Sequence, residues 1–306
     1  MKSVLASLFV CVLLAFPVAA QDIGTLTLLE GPLHVIRGTV VLKGVEGMRM
    51  RQGDIVETSG SGLTQMEFHG GPIVAIGPSS RLYLFRYAAG SSGGKDAPGV
   101  QFVLLSGWLK AETSSRPGAC RYESPLLAAA TRDGTFVLNA DGTAADIYVE
   151  SGSGNICEVS AAGGCQYPSN AKSGQFYSRV AGKKITTSPH PSSAFVASMP
   201  PPFRDTFPSR LSHFTRKPPE PKVDHQVTYA EIGPWLSIPT AWRRGFVPRF
   251  QPRLQDAEFR KELAAHLREH PEWDPVLFPE KYRPKTMPAT ANNPQSSQED
   301  EGGPPK

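Results

Sequence analysis

The residues best suited to chemistry in this chain are two histidines and a glutamate near its C-terminal end, in His266-Leu267-Arg268-Glu269-His270. Histidines four positions apart lie on one side of a helix and could hold Zn²⁺ while the glutamate polarises a water, as in inverted zinc metallopeptidases. Pro271 follows the second histidine directly, so the helix should end there, and a third ligand would have to come from the few acids downstream. We therefore interpret the motif as solvated residues on a helix's polar face, and a zinc peptidase is the third of our functional hypotheses.

Acids and histidines also occur in the β-rich part of the chain, but nothing in the sequence brings them together. A catalytic triad or carboxylate pair would have to use Asp133, Asp146, Glu150, Glu158, His34 and His69. Such residues are typical of the solvated outer faces of strands. The sequence therefore predicts no catalytic residue, no metal and no cofactor, and we expect a protein that is not an enzyme.

Arginines next to tryptophans form the remaining candidate site, made of Trp235, Trp242, Arg243, Arg244 and Arg249. A guanidinium beside an aromatic ring can bind a carboxylate, a phosphate or the face of a sugar. The same mixture also occurs where arginines pack at the seam between domains. These five residues are the predicted contact with a partner protein, a polyanion or a glycan.

The elements that must position these residues are mostly β-strands. Between residues 24 and 185, short alternating apolar runs are separated every few residues by Gly, Pro, Ser, Asp or Asn, and Asp141-Gly142 is a good hairpin turn. With no helical stretch between them, an α/β sheet is excluded. We predict a mainly β fold at 21–187, with many short strands forming a β-roll, β-helix-like or sandwich domain, plus a small helix-containing C-terminal module.

The sequence changes at residue 188, where proline becomes frequent. Proline lacks an amide donor and fixes its backbone, so residues 188–228 are expected to be an extended linker that lies on a surface or spans a gap. Five apolar side chains should pin this linker onto the β domain: Phe195, Phe203, Phe207, Leu211 and Phe214.

Residues 229–283 are predicted to be a Trp- and Arg-rich module with one amphipathic helix. The helix is expected over 257–269, capped by Asp256 and ended by Pro271. Its apolar positions recur at helical spacing, at Phe259, Leu263 and Leu267. The polar, proline-containing tail 284–306 should be disordered.

The first twenty residues predict export. Lys2 precedes an apolar run that ends in small residues, the pattern of a cleavable secretory signal peptide with cleavage near Ala20-Gln21. The mature chain should be periplasmic and soluble, with no membrane insertion after signal cleavage. A net charge of +4 with no basic block gives no indication of nucleic acid.

Three cysteines remain after loss of the signal peptide: Cys120, Cys157 and Cys165. An oxidising compartment permits a disulfide, although an odd count leaves one thiol over. Cys157 and Cys165 flank the turn-like sequence 161–164, so a hairpin could bring them together. They are the disulfide candidate, although spacing alone does not fix the connectivity.

Several short motifs in this β region together resemble the FecR domain of periplasmic proteins and sigma-factor regulators. In order they are Leu28-Leu29-Glu30-Gly31 with Val40 and Leu42, Gln52-Gly53-Asp54-Ile55-Val56-Glu57-Thr58, Met66-Glu67-Phe68-His69-Gly70-Gly71, Ile76-Gly77-Pro78-Ser79-Ser80-Arg81-Leu82, Leu104-Leu105-Ser106-Gly107-Trp108-Leu109, and Ser124-Pro125 with Gly134-Thr135-Phe136-Val137. The motifs Gly53-Asp54, Gly77-Pro78 and Gly107 are expected at strand ends, where a positive φ or a side chain that bonds back to the main chain makes the turn.

The chain departs from the family pattern at three places. His69-Gly70-Gly71 stands where the family usually has an Asp-Gly turn, and Asp133 stands where it has an arginine. A signal peptide replaces the cytoplasmic segment and spanning helix of the sigma regulators. The resemblance therefore implies a stand-alone FecR-like protein that does not itself signal across the inner membrane.

Our leading hypothesis is a non-enzymatic periplasmic FecR-like scaffold, or a protein-binding and signalling-accessory protein of the cell envelope. Its β domain would present strand edges or loops to an envelope protein partner, and the C-terminal module would be a second contact. The alternative is a glycan- or peptidoglycan-binding module that uses exposed Trp235 and Trp242. Exposure of these two tryptophans discriminates between the two hypotheses.

Overall fold

The structure is a computed structural model and describes residues 21–88, 99–114 and 119–283. The predicted signal peptide 1–20 and tail 284–306 lie outside these residues. The mainly β fold with a helix-containing C-terminal module is confirmed. None of the helices within the described ranges is both long and apolar enough to cross a membrane.

Sixteen strands belong to one sheet in the described part of the chain. They are β1 (Asp22–Glu30), β2 (Leu33–Arg37), β3 (Val40–Lys43), β4 (Arg49–Arg51), β5 (Ile55–Thr58), β6 (Leu63–Phe68), β7 (Ile73–Ile76), β8 (Arg81–Tyr87), β9 (Val100–Thr113), β10 (Cys120–Glu123), β11 (Leu127–Ala140), β12 (Ala144–Val159), β13 (Cys165–Lys172), β14 (Phe176–Val180), β15 (Thr186–Ser188) and β16 (Val223–Gln226).

Short helices follow strand β15 in the chain. The α-helices are α1 (Ser193–Ser198), α2 (Tyr229–Leu236), α3 (Thr240–Arg243), α4 (Phe246–Phe250), α5 (Ala257–Ala265) and α6 (Asp274–Leu277). The 3₁₀ turns are Pro201–Arg204, Leu211–His213, Gln251–Gln255, Pro271–Trp273 and Pro279–Tyr282.

The sheet runs in the order β15-β14-β12-β11-β10-β9-β8-β5-β2-β3-β16, and β1, β4, β6, β7 and β13 pair off this path. The pairings are antiparallel except that of β10 with β9, which is parallel. Because β9 also pairs with β7 and β11, the sheet folds back on itself around a core. Large apolar side chains fill this core, among them Leu26, Met66, Phe102, Tyr122 and Phe136.

Three strands are longer than the sequence predicts. β9, β11 and β12 contain 14, 14 and 16 residues, and each passes through a glycine that reads as a strand end in the sequence. The expectation that Gly107 ends a strand is therefore wrong, since it lies within β9 at φ +90°. A glycine can take a positive φ inside a strand and continue it as a bulge, which no local pattern distinguishes from a turn.

The proline-rich segment covers one outer face of the sheet. We call residues 193–210 the strap. Phe195, Phe203 and Phe207 of the strap are buried in a cluster with sheet residues, as predicted. Leu211, which was expected to pin the linker as well, is 36% exposed.

Polar side chains of the sheet hold the strap by its backbone. Gln65 Nε2 in β6 donates to the carbonyl of Pro208 over 3.0 Å. Glu112 Oε1 in β9 accepts from the backbone amide of Phe207 over 2.8 Å. Burial raises the pKa of Glu112, and this hydrogen bond and the nearby Lys110 oppose the rise. These bonds to the backbone supply the partners that a proline-rich segment cannot find in a ladder.

The C-terminal module, residues 229–283, covers the opposite outer face. Its buried aromatic residues form a second cluster with sheet residues such as Val41, Ile55 and Tyr83. The central strands are therefore buried on both faces. A strand of this kind has no solvated side, so its sequence loses the apolar–polar alternation of a half-buried strand.

Candidate binding groove

A groove of about 650 Å³ lies between the strap and the ends of β1 and β6. We call it the Trp108 groove, after the aromatic residue that lines it. Its lining residues are Glu30, Gly31, Ser61, Gly62, Leu63, Pro78, Trp108, Ala197, Ser198, Met199, Pro200, Pro201, Pro202 and Arg204. This volume is in the range of about 300–1,000 Å³ that is typical of ligand-binding clefts.

Trp108 is held in place through its backbone. Its amide donates to Ser80 Oγ over 2.8 Å, and its carbonyl accepts from the amide of Gly77 over 3.0 Å. The preceding Gly107 lies so close to Ser80 that an added Cβ would be 2.5 Å from Ser80 Cα. The glycine thus allows β9 to bulge against the turn at residues 77–80, and the bulge places the indole at the groove.

The strap builds the facing wall. A Cβ at Gly77 would be 2.9 Å from Cγ of Pro200, so the missing side chain lets the strap approach the sheet closely. Phe195 packs on the Trp108 ring with centroids 5.0 Å apart, and on Phe176 at the same distance. Both walls of the groove, the strap and the sheet around Trp108, are consequently held in place by packing.

The indole N–H of Trp108 is available to a ligand. The ring is half-buried, and its N–H makes no hydrogen bond within the described residues and is not among their buried unpaired polar groups. Glu30 and Arg204 are exposed at the groove, and most of the remaining lining is apolar. The site therefore offers an aromatic ring with an N–H that is unpaired among the described residues, a proline surface and the exposed guanidinium of Arg204.

The predicted tryptophan contacts are not at this groove. Trp235 in α2 and Trp242 in α3 are 0% and 2% exposed and lie in the cluster beneath the C-terminal module. The expectation of exposed tryptophans that stack on sugars is therefore wrong. Both rings close over a second apolar face of the sheet, and sequence alone did not reveal that this face exists.

The predicted arginines separate into three environments. Arg249 donates from Nη1 to the carbonyl of Gly53 over 2.6 Å and from Nη2 to that of Ile36 over 2.9 Å, so it packs at a domain seam. Burial lowers its pKa. Arg243 is paired with Glu272, whereas Arg244 is exposed. The structure does not bring the five predicted contact residues into one surface site.

Cys157 and Cys165 form a disulfide with an S–S distance of 2.03 Å. The bond closes the β12–β13 hairpin, whose turn at 161–164 touches the module where the amide of Ala241 donates to the carbonyl of Ala162 over 3.3 Å. Cys120 is buried and is not part of a disulfide. The disulfide thus lies next to the contact between sheet and module.

The histidine motif does not form a helical metal site. Helix α5 begins at the predicted cap, where Asp256 accepts from the amides of Glu258 and Phe259, but it ends at Ala265 rather than Glu269. His266 stacks on Tyr229, and His270 Nε2 lies 3.1 Å from the Tyr229 hydroxyl. His270 is fully buried, so the interpretation of the motif as solvated residues is wrong for this histidine. In the described residues no group of three or more His, Cys, Asp or Glu side chains is arranged to hold a metal.

The other acids and histidines are dispersed over the β domain. Glu158 is paired with Arg179 at 3.1 Å, and Glu150 with Lys110 at 2.7 Å. The structural roles of Lys110 and Trp108 were missed by sequence reasoning. Trp108 stands within the Ser106-Gly107-Trp108 motif. A large aromatic residue directly after a glycine in a strand is the sequence feature that could have identified it as a site residue.

Comparison with known proteins leaves the family open. No family model matches the chain, and no curated protein matches it. Two crystal structures of proteins from Parabacteroides distasonis, each described as a putative anti-sigma factor, are similar to this chain with a TM-score of 0.37 and 7% or 8% identity. Each match covers 47% of this chain and 64% or 63% of the other. The chain thus spans less than two thirds of those structures, and similarity at this level assigns neither a family nor a partner.

Proposed function

We propose that this protein is a non-enzymatic, exported scaffold of the cell envelope that binds an extended peptide segment of a partner protein in the Trp108 groove. Export to the periplasm rests on the predicted signal peptide, and the FecR-like character on the ordered sequence motifs. The observation that carries the proposal is the half-buried Trp108, whose indole N–H makes no hydrogen bond within the described residues and which lines a groove together with the consecutive prolines 200–202.

The chemistry of the groove suits an extended, proline-containing or apolar peptide. Peptides in the polyproline II conformation dock on aromatic rings, and their regularly spaced carbonyls accept hydrogen bonds from indole donors. The strap holds its side of the groove in place through bonds to buried sheet residues. Restraint before binding reduces the ordering cost and so favours affinity.

A peptide fits the lining better than a glycan does. Sugar rings present hydroxyls on every edge, so they are usually held by several polar side chains around an aromatic face. Here the polar side chains are Glu30, Ser61, Ser198 and Arg204 among a mainly apolar lining. A glycan is therefore an alternative outcome of the test.

The experiment is in-cell crosslinking from a photoreactive residue placed at Ala197, which lines the groove, with Tyr167 as the control position. Tyr167 lies on β13 and is 76% exposed, away from the groove residues. We expect one protein to be captured from position 197 and not from 167. Trp108→Phe, which retains the ring but removes the donor, should reduce this capture.

Binding measurements with purified protein distinguish a peptide ligand from a glycan ligand. Binding of the captured protein's crosslinked segment, made as a synthetic peptide, should weaken in Trp108→Phe and remain unchanged in Tyr167→Ala. Retention on peptidoglycan strands that is lost in Trp108→Phe would replace the peptide proposal by a glycan one. Equal capture from both positions would overturn the proposal.

A further inference from the structure

The seam between the sheet and the C-terminal module contains ionisable side chains at three places. Glu57 of β5 and Glu123 of β10 are sheet glutamates covered by the module, and His225 of β16 reaches an acid of helix α2. Each of the two glutamates has a buried tryptophan of the module as its neighbour. None of these contacts belongs to the Trp108 groove.

Glu123 is the most deeply buried of the three, with 2% exposure. Its Oε1 lies 3.2 Å from Nε of Arg121, while its Oε2 is buried with no hydrogen-bond partner. Burial raises the pKa of Glu123 to about 7, although Arg121, the indole of Trp242 and Arg86 oppose this rise. The neutral acid is consequently favoured in the closed seam, because burial penalises the carboxylate more than its contacts with Arg121 and Trp242 stabilise it.

Glu57 repeats this arrangement on the next part of the seam. Its Oε1 accepts from the indole N–H of Trp235 over 3.1 Å. Burial raises the pKa of Glu57, and Glu231 adds to the rise, whereas Trp235, Arg81 and His34 oppose it. Closing the module over this side chain therefore favours the protonated form as well.

His225 connects strand β16 to helix α2. Its Nε2 lies 2.7 Å from Oε1 of Glu231, and its Nδ1 lies 3.3 Å from Asp224. The hydrogen bond to Glu231 raises the pKa of His225, with Asp224 contributing in the same direction. Glu231 also accepts from the amide of Thr228 at the start of α2, so the protonated imidazole secures the entry into the module.

We propose that this seam is an acid-strengthened latch: the module is held most firmly on the sheet under mildly acidic conditions, and it loosens toward neutral pH to uncover the apolar sheet face beneath it. Glu231 has the opposite sign, because its burial is outweighed by its hydrogen bonds to Thr228 and His225, which lower its pKa, but above its ordinary 4.5 it is mostly ionised whether the seam is open or closed. Above that pH the sign is the same at all three places. Glu57 and Glu123 bind a proton more readily when the seam is closed than when it is open, and so does His225. Closure therefore takes up protons, and raising the pH through this range weakens it.

The pH range over which the latch should loosen follows from Glu123, whose pKa shift is large. An uncovered glutamate titrates near its ordinary 4.5, and the covered Glu123 near 7, so docking weakens progressively between these values. His225, whose pKa is raised from its ordinary 6.5, adds to the loss at the upper end of this range. The uncovered face includes Val41, Ile55 and Tyr83. The mechanism needs no ligand and does not depend on the proposed function of the groove.

Tryptophan accessibility in the full chain tests the latch. In a Trp108→Phe background the remaining tryptophans are Trp235, Trp242 and Trp273, all buried in the module. Quenching of their emission by acrylamide should increase from pH 5 to pH 7.5. In Glu123→Gln, which is neutral at every pH, the increase should be smaller. Glu258→Gln, which changes an exposed glutamate of α5, should behave as the parent.

Two results of the quenching experiment would overturn the latch. A quenching constant that does not change with pH in the parent overturns the latch, and so does a Glu123→Gln profile identical to that of the parent. If circular dichroism shows that Glu123→Gln does not fold, Glu57→Gln takes its place, and an unchanged profile there has the same meaning. Peptide binding at the groove is not part of this measurement, so failure of the groove proposal would leave its result standing.

Discussion

The ammonium group of Lys110 in strand β9 donates to the backbone carbonyl of Phe203 in the strap over 2.8 Å, and no part of the lysine is exposed. The same nitrogen donates to the carbonyl of Asp205 over 2.9 Å and lies 2.7 Å from Oε2 of Glu150. The ammonium group thus has two carbonyl acceptors and a carboxylate as its charge partner, and such pairing is the condition under which a lysine can be buried. Strap and sheet consequently form one packed unit.

Replacement of Lys110 should release the strap. In Lys110→Met the side chain retains most of its volume, but the carbonyls of Phe203 and Asp205 lose their donor and Glu150 loses its ion pair. We expect a loss of about 2–4 kcal/mol in the free energy of unfolding, measured in urea. Early proteolysis within residues 193–210 should accompany it. The control is Lys172→Met at an exposed position of β13, and equal stability of the two variants would contradict this role of Lys110.

The importance of the close approach of Gly107 to Ser80 can be tested by comparison with Gly142, a glycine of similar φ. Gly107 and Gly142 have φ of +90° and +88°, but an added Cβ meets Ser80 at Gly107 and nothing within 4 Å at Gly142. Gly142→Ala should cost about 1–2 kcal/mol for the left-handed backbone alone. Gly107→Ala should cost more and should also shift the emission of Trp108. Equal losses of stability would show that the close approach to Ser80 is unimportant.

Gly77 tests the facing wall of the groove. A Cβ there would be 2.9 Å from Pro200, so Gly77→Ala should push the strap outward with a modest loss of stability and a larger loss of peptide binding. Gly60→Ala is the matched change, because its nearest neighbour would be Ser79 Oγ at 3.9 Å. Isothermal titration with the captured peptide compares the two variants. Normal binding by Gly77→Ala would exclude the strap from the site.

The disulfide is expected to stabilise the hairpin and, through it, the module. Closing a loop with a sequence separation of 8 contributes about 2.5 kcal/mol by the chain-entropy estimate. The double variant Cys157→Ser/Cys165→Ser should lose about this much in urea denaturation, and protease should reach residues near Ala241 sooner. A dithiol should produce the same change in the parent and none in the double variant. A parent that is unaffected by reduction would contradict the prediction.

Local patterns in the sequence were sufficient to predict the elements that depend only on neighbouring residues. Asp256 caps α5 because its carboxylate reaches two amides within three residues, and Asp141-Gly142 joins β11 to β12 because those residues accept a tight turn. The apolar residues of the proline-rich segment likewise predicted that it packs on the β domain, and Phe195, Phe203 and Phe207 do so. Each of these inferences needs only the residue type and its near neighbours.

The candidate site and the seam depend on contacts that the sequence does not encode locally. Trp235 reaches Glu57 across 178 residues, and Lys110 reaches Phe203 across 93. A tryptophan in a short helix is compatible with either exposure or burial, and the choice depends on whether a second apolar sheet face lies opposite. The sequence by itself determined the β class, the strap and the helix cap. Only the tertiary structure decided that Trp235 and Trp242 are buried while Trp108 is open to a ligand, because burial is set by which distant surfaces meet.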